Sequence, residues 1–354
     1  MMFKLTYTKN QKIADDIALK LDSFPDEKLF RIDTLALAAE FGLTKDEIID
    51  IFIQGVYDGF FLLDWMYHCP VCGTIAAETL SINEAKSTDF CPACHGEFVN
   101  SLDDNIEVSF SAHPNIREIP AHIKEAYKKQ TDADVAAGNY LTWKKYNVLR
   151  GIDLIQNNTY RELMSADVLI SDQSLQIMKI TVLFTDIKGS TQMYSDLGDA
   201  RAFSLVREHF RILFDVIKEF GGVPVKTIGD AVMGAFVSPQ KAVAATLEAQ
   251  KRLIAHYASK PENEKIEVKI GVHSGAAIIV TLNNRLDYFG STVNTAARIQ
   301  ASALPNEVVI SEELFNDEDI KRTIAKVSKT VKRHRLEFKG LEGEYTVYHI
   351  PVCG

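Results

Sequence analysis

The stretch KITVLFTDIKGST, Lys179 to Thr191, constrains the fold of this chain more than any other. Ile180, Thr181, Val182, Leu183 and Phe184 form a β-branched and apolar run with the length of a buried strand. That strand delivers Asp186 to a turn containing Gly189, after which Ser190 and Thr191 can cap a helix. Open amides at such a helix start can hold anionic oxygens, and a carboxylate at the strand end can hold a divalent ion bridging the same oxygens. Strand, aspartate, turn and helix also describe many plain corners where the aspartate is only a cap, so this stretch alone leaves both readings open.

A second carboxylate follows in VPVKTIGDAVMGAF, Val223 to Phe236. Two short apolar strands are joined here through Thr227, Ile228, Gly229 and Asp230, a Gly-Asp hairpin turn that puts an aspartate on a strand edge. Two aspartates on neighbouring strands can share two metal ions, the arrangement used for in-line attack on phosphate. Taken together, FTDIKGST, VKTIGDAVMGAF and DYFGSTVNTAARI resemble, in order and spacing, the class III nucleotidyl cyclase catalytic domain, which makes cyclic AMP or cyclic GMP. The resemblance runs from Lys179 to roughly Pro351.

The resemblance implies roles for particular residues. Asp186 and Asp230 would be ligands of two Mg²⁺ or Mn²⁺ ions per active site, helped by the backbone carbonyl of Ile187, with Gly189, Ser190 and Thr191 around the phosphates. Lys226 matches a base-reading lysine and Asp287, seven residues before Asn294, a position that accepts from the adenine amino group, a pair that fits ATP. The segment ahead of Gly290 is shorter than in cyclases carrying RLDY, so the Asp287 role rests on counting back from Asn294. Asn294 would orient the ribose, Arg298 one turn later would stabilise charge on the α-phosphate, and Lys339 matches a pyrophosphate-binding lysine. Metal and base residues meet across subunits in this family, so a homodimer with two equivalent sites is implied.

Alternating strands and helices predict an α+β layer of ferredoxin-like type for this half. The pattern gives a long helix from Thr191 to Phe220, with Phe203, Val206, Phe210, Leu213, Phe214 and Ile217 as a core stripe. A helix over Pro239–Tyr257, strands over Ile266–Val272 and Ala276–Leu282, a helix over Val293–Ala303 and closing strands near Val308–Ile310, Val331–Phe338 and Tyr345–Ile350 follow.

The front half reads differently. Helical spacing over Gln11–Leu21, Thr34–Phe41 and Thr44–Gly59, the last opened by a Thr44/Glu47 capping box, precedes an apolar strand, Phe60–His68. Three helices and a strand suggest a small winged-helix-like unit. CPVCG (Cys69, Cys72) and CPAC (Cys91, Cys94), separated by eighteen residues, present four thiols from two tight turns, the donor set of one structural Zn²⁺ in a zinc ribbon. His68 and His95 flank the turns as alternative ligands, and a redox dithiol or a disulfide is the competing reading. IEVSFSAHP, Ile106 to Pro114, alternates as an edge strand does. The block from FRIDTLALAAEFGL through DWMYHCPVCG to NIEVSFSAHP is similar to an adapter region preceding some bacterial class III cyclases. Beyond it, Tyr140–Ile155 reads as a helix, and Asn157, Asn158 and Thr159 open another that runs to Leu169.

Three segments result: 1–116 as a helical and zinc-ribbon adapter, 117–177 as a helical linker, and 178–354 as the catalytic domain. Residues 1–116 hold 8 Lys+Arg against 19 Asp+Glu, a net −11 that repels a phosphate backbone and argues against nucleic acid as a partner. The most apolar region, Ile48–Met66, is interrupted by Asp50, Gln54, Asp58 and Asp64, so no membrane span is expected, and the cysteine usage, including a lone Cys353, suits a cytoplasmic, reducing setting. The function these readings favour is an adenylyl cyclase, forming cyclic AMP and pyrophosphate from ATP, with a regulatory protein or small molecule acting at the front unit. The alternatives are a catalytically silent nucleotide-binding regulator and a zinc-stabilised interaction module.

Overall fold

The computed structural model describes residues 2–138, 148–340 and 343–352. They divide into two units: residues up to Met178 together with Ile278–Asp287, and Lys179–Ala277 together with the residues from Tyr288 onward. No helix of the described residues is long and apolar enough to cross a membrane.

Local chemistry sets the start of the first unit. The Thr44 side chain accepts from the Glu47 amide while the Glu47 carboxylate accepts from the Thr44 amide, the reciprocal box expected from the sequence. Helices α1 (Gln11–Asp22), α2 (Asp26–Leu29), α3 (Thr34–Glu40) and α4 (Lys45–Tyr57) precede strands β1 (Phe61–His68), β2 (Ile75–Thr79), β3 (Thr88–Phe90), β4 (Glu97–Val99) and β5 (Ile106–Ala112). Helix α5 (Ala121–Ala136), strand β6 (Leu149–Arg150) and helices α6 (Gly151–Ile155) and α7 (Asn158–Leu163) complete it. The sheet runs β2-β1-β5-β6, antiparallel throughout. Phe52 of α4 packs its ring 4.7 Å from Phe61 and 5.1 Å from Phe110, joining helix to sheet.

Several expectations change here. Four helices and a four-stranded sheet stand where three helices and a strand were expected. Strand β5 is interior, because its alternating Ser109 and Ser111 are buried rather than solvated. Of the helix expected over 140–155, residues 140–147 lie outside the described residues, and Leu149–Arg150 pair with β5 as a strand. Asn157 caps α7 by accepting from the Tyr160 amide at 2.9 Å, but the helix stops at Leu163, short of Leu169.

The second unit is built on β7 (Leu175–Ile187), α8 (Ser190–Leu197), α9 (Asp199–Glu219), β8 (Val223–Ile228), β9 (Ala231–Phe236) and α10 (Pro239–Tyr257). Then come β10 (Val268–Leu282), β11 (Arg285–Phe289), α11 (Ser291–Ser302), β12 (Glu307–Ser311), α12 (Glu312–Phe315), α13 (Glu318–Ala325), β13 (Lys332–Glu337) and β14 (Glu344–Pro351). Its sheet runs β13-β14-β12-β10-β7-β9-β8, with β11 paired to β10. The long helix expected after Thr191 is two, because Gly198 at φ 74°, ψ 158° breaks it. Phe203, expected in the core, is 55% exposed, while Leu205 and Val216 are buried. The two strands expected over 266–282 are one, β10, and β11 closes on it through Asn283 and Asn284, both at positive φ as a tight hairpin requires.

Strand periodicity assigns the faces. On β12, Val308 and Ile310 join the large core with α9, α10 and α13, whereas Val309 joins a smaller cluster with Ile299 and Ala303 at α11. Successive strand residues point to opposite faces, so α11 lies on the face opposite α9 and α10. On β10, Ile270 and Val272 belong to the large core, and a Cβ at Gly271 would come within 2.2 Å of the Gln300 amide nitrogen on α11. That contact is with backbone and cannot be relieved by a rotamer. Gly271→Ala is expected to cost about 3 kcal/mol, read as a shifted urea midpoint at unchanged m-value.

Candidate active site

Strand β7 ends in an acidic corner. Its Leu183 and Ile187 face the large core, so Asp186 points to the other side, the face that carries α11. The Gly229-Asp230 loop connects β8 and β9 through an Ile228↔Ala231 pair, with Gly229 at φ 62°, as the hairpin reading requires. Two bonds dock this hairpin on β7: the Val232 amide donates to Thr185 Oγ1 at 3.1 Å, and the Ile187 amide donates to Asp230 Oδ2 at 3.2 Å. The second carboxylate is thereby held at the residue following Asp186.

Lys269 on β10 places Nζ 3.2 Å from Asp186 Oδ2. Thr181 and Ser274 share a hydroxyl contact of 2.5 Å further along, so β7 and β10 run antiparallel. Sequence reasoning passed over Lys269. Alternation in VKIGV was the available signal, since Val268, Ile270 and Val272 are core and Lys269 must face away from them. Gly189 occupies the N-cap of α8 at φ 67° with no side chain closing it, and Ser190 and Thr191, expected as caps, are its first helical residues. The first-turn amides of α8 thus open two residues beyond buried Ile187.

Asn294 and Arg298 lie one turn apart and exposed on α11. Thr292 anchors that helix by donating to the Ala276 carbonyl at 2.5 Å, and a Cβ at Gly275 would meet the same hydroxyl at 2.5 Å. Lys226 is half-buried on β8, on the Asp230 hairpin. Asp287 is buried on β11 in the 278–287 segment of the first unit, where Thr281 donates to the Leu169 carbonyl at 2.7 Å and Arg161 to the Leu286 carbonyl at 3.2 Å. Lys339 is exposed just beyond β13, next to Gly340, and residues 341–342 are outside the described residues. The acidic corner, Lys269 and α11 therefore share one sheet face, and Asp287 belongs to a different unit.

A second centre lies in the first unit. Cys69, Cys72, Cys91 and Cys94 place their sulfurs within 4.8 Å of one another, three of them buried. Sγ–Sγ distances are 3.6 Å for Cys69–Cys94 and 3.4 Å for Cys72–Cys91. Four sulfurs around a tetrahedral zinc lie about 3.8 Å apart, so the donor set fits that ion. The two turns are built alike: the Gly73 amide bonds to the Cys69 carbonyl at 2.8 Å and the His95 amide to the Cys91 carbonyl at 3.0 Å, with Gly73 and His95 both left-handed. Burial pushes the Cys91 thiol up to about 12. At Cys72 burial acts the same way, but bonds with Thr74 and neighbouring thiols bring it down to about 7. His68 is occupied by the Gly73 carbonyl and Glu107, which leaves the four cysteines as the set.

Comparison with known proteins follows this division. Residues 173–351 match the adenylate and guanylate cyclase catalytic domain, and residues 1–181 match a family of unknown function, DUF5939. The adenylate cyclase of Lachancea kluyveri is 29% identical over 186 residues, covering 47% of this chain and 10% of that protein. Receptor-type guanylate cyclase gcy-28 of Caenorhabditis elegans is 25% identical over 168 residues, covering 43% of this chain and 13% of that protein. The chain thus spans roughly a tenth of the length of these relatives. The crystal structure of the adenylyl cyclase CyaB from P. aeruginosa is similar at TM-score 0.43 and 20% identity, over 51% of this chain and 97% of that one. Over residues 173–351 the chain belongs to the adenylate and guanylate cyclase catalytic domain family, and over 1–181 to that family of unknown function.

Proposed function

We infer that the chain is an adenylyl cyclase, converting ATP to 3′,5′-cyclic AMP and pyrophosphate in a homodimer, with residues 178–354 as the catalytic domain. The observation that carries this reading is the bond from the Ile187 amide to Asp230 Oδ2, which draws a second carboxylate to the strand end bearing Asp186. Two carboxylates and a backbone carbonyl are hard oxygen donors, suited to Mg²⁺ or Mn²⁺. Ions held there would lower the pKa of the ribose 3′ hydroxyl and neutralise the triphosphate. The 3′ oxygen then bonds to the α-phosphorus as the bond to the β-phosphate oxygen breaks and pyrophosphate leaves. Asn294 orients the ribose, Arg298 balances charge growing on the α-phosphate, and the α8 amides with Lys339 hold the departing phosphates. Exposed apolar side chains of the second unit, Ile228 and Phe289 among them, support a homodimer, in which metal and base residues meet across subunits. Residues 1–116, with Zn²⁺ on the four cysteines, serve as the regulatory unit.

Adenine preference rests on Lys226 as donor and Asp287 as acceptor. Lys226→Ala is expected to lower kcat/KM for ATP by about 10- to 100-fold, the worth of one charged hydrogen bond, while GTP turnover changes far less. Cyclic AMP and cyclic GMP are quantified with each nucleotide and either ion. Equal losses for both nucleotides would remove Lys226 from base reading, and a product from GTP alone would overturn the adenylyl assignment.

A further inference from the structure

We propose that the cavity beside Arg31 in the first unit binds a small organic carboxylate with an apolar body. Nothing in the cyclase reading requires this site, and the proposal does not rest on that reading.

Arg31 is held in a conformation that arginine rarely adopts. The Ile32 amide bonds to the Phe110 carbonyl at 2.8 Å and the Arg31 amide to Ser111 Oγ at 3.1 Å, and between them the Arg31 backbone sits at φ 53°. A non-glycine residue in the left-handed region is strained, and such strain persists where it aims a side chain. The Arg31 side chain is only 6% exposed, and its Nη2 pairs with Glu78 at 2.7 Å. The guanidinium lies 4.2 Å from the Tyr127 ring centroid and 5.1 Å from that of Phe30. Nε and Nη1 are buried with no hydrogen-bond partner among the described residues. Unmet donors on a buried cation are costly, and native structures keep few of them.

A second group in the same place is also unmet. Ser109 Oγ, on β5, is buried without a partner among the described residues, and both Ser109 and Arg31 line a cavity of about 610 Å³. That volume is in the range of small-molecule sites. Its remaining wall is largely apolar, with Ile32, Leu35, Ile75, Val108 and Leu149.

The unmet groups and the wall select the ligand. Three carboxylates also line the cavity, and each is engaged: Asp33 accepts from the Ala36 amide at 2.9 Å, Glu107 meets His68 Nε2 at 2.9 Å, and Asp134 accepts from Gln130 at 3.2 Å. Among the described residues, what is missing is an acceptor for Nε and Nη1 of Arg31 and a partner for Ser109 Oγ. Three neighbouring carboxylates disfavour a multiply charged phosphate, whereas a single carboxylate satisfies the donors and an aliphatic body covers the wall. Entry has a route through α5, which lines the cavity with Tyr127, Thr131 and Val135 but fully buries only Ile123 along its sixteen residues. An element with so little buried surface opens at low cost.

The test is isothermal titration of the full chain with hexanoate, hexan-1-ol and inorganic phosphate. Hexanoate is expected to bind at one per chain and tighter than the alcohol, with Arg31→Met weakening it by about tenfold or more and Ser109→Ala by less. Should Arg31→Met fail to fold, the wild-type preference for hexanoate over hexan-1-ol and the Ser109→Ala loss carry the decision. No hexanoate binding at millimolar concentration, equal binding of the alcohol, tighter binding of phosphate, or unchanged affinity in folded Arg31→Met would each overturn the proposal. The cavity would then be a hydrated space and Arg31 a structural partner of Glu78.

Discussion

Asp186→Ala is expected to lower cyclic nucleotide formation by about 1,000-fold or more while leaving the fold intact. The size follows from the role proposed for Asp186, that of a ligand to ions which in a two-metal site stabilise both the attacking and the leaving oxygen. A second consequence comes from Lys269, whose ammonium faces Asp186 at 3.2 Å. Without the carboxylate, that positive charge would lose this partner beside the proposed cation site, adding repulsion to the lost ligand. The ion pair is half-exposed, so its loss costs at most about 1 kcal/mol of stability. Melting temperature and oligomeric state should therefore match the wild type when turnover is gone. Retention of a tenth or more of the activity would remove Asp186 from the metal site, and a large drop in melting temperature would make the lost turnover a folding effect.

Legibility in this chain follows how local the determining chemistry is. The Gly229-Asp230 turn was readable because a two-residue hairpin demands a left-handed residue, and glycine supplies it at φ 62°. The Thr44/Glu47 box and the two Cys-x-x-Cys turns are equally local. Strand β5 was misread because its serines imitate the solvent face of an edge strand, whereas both are buried and the strand's second neighbour in the sheet, β6, lies about forty residues away in sequence. Strand β10 was expected as two strands, ending at Val272 and resuming at Ala276, with Gly275 in the gap. Gly275 is there because the Thr292 hydroxyl of α11 approaches it closely. Lys269 was passed over for a related reason: its role depends on an aspartate eighty-three positions earlier, brought beside it by the pairing of β7 and β10.

Cys91→Ser is expected to abolish bound zinc, from about one ion per chain to none, and to lower the melting temperature of the first unit by about 10 °C. The site can contribute about 4 kcal/mol when the ion is present far above its dissociation constant, and a unit of this size shifts by a few degrees per kcal/mol. The unit should not unfold outright, because Trp65, Tyr67, Phe52 and Phe110 form a core that does not depend on the metal. Cys91 is the most telling of the four positions. It is fully buried, so serine leaves a hydroxyl with no ion to meet, whereas Cys94 is exposed and its replacement should cost less. Metal analysis of the purified chain, with melting curves before and after a strong chelator, reads both effects. Zinc absent from wild-type protein whose melting curve ignores the chelator would refute the assignment. Thiol titration would then show whether two disulfides stand in its place, which the present Sγ separations of 3.4 and 3.6 Å would have to close to about 2 Å to allow.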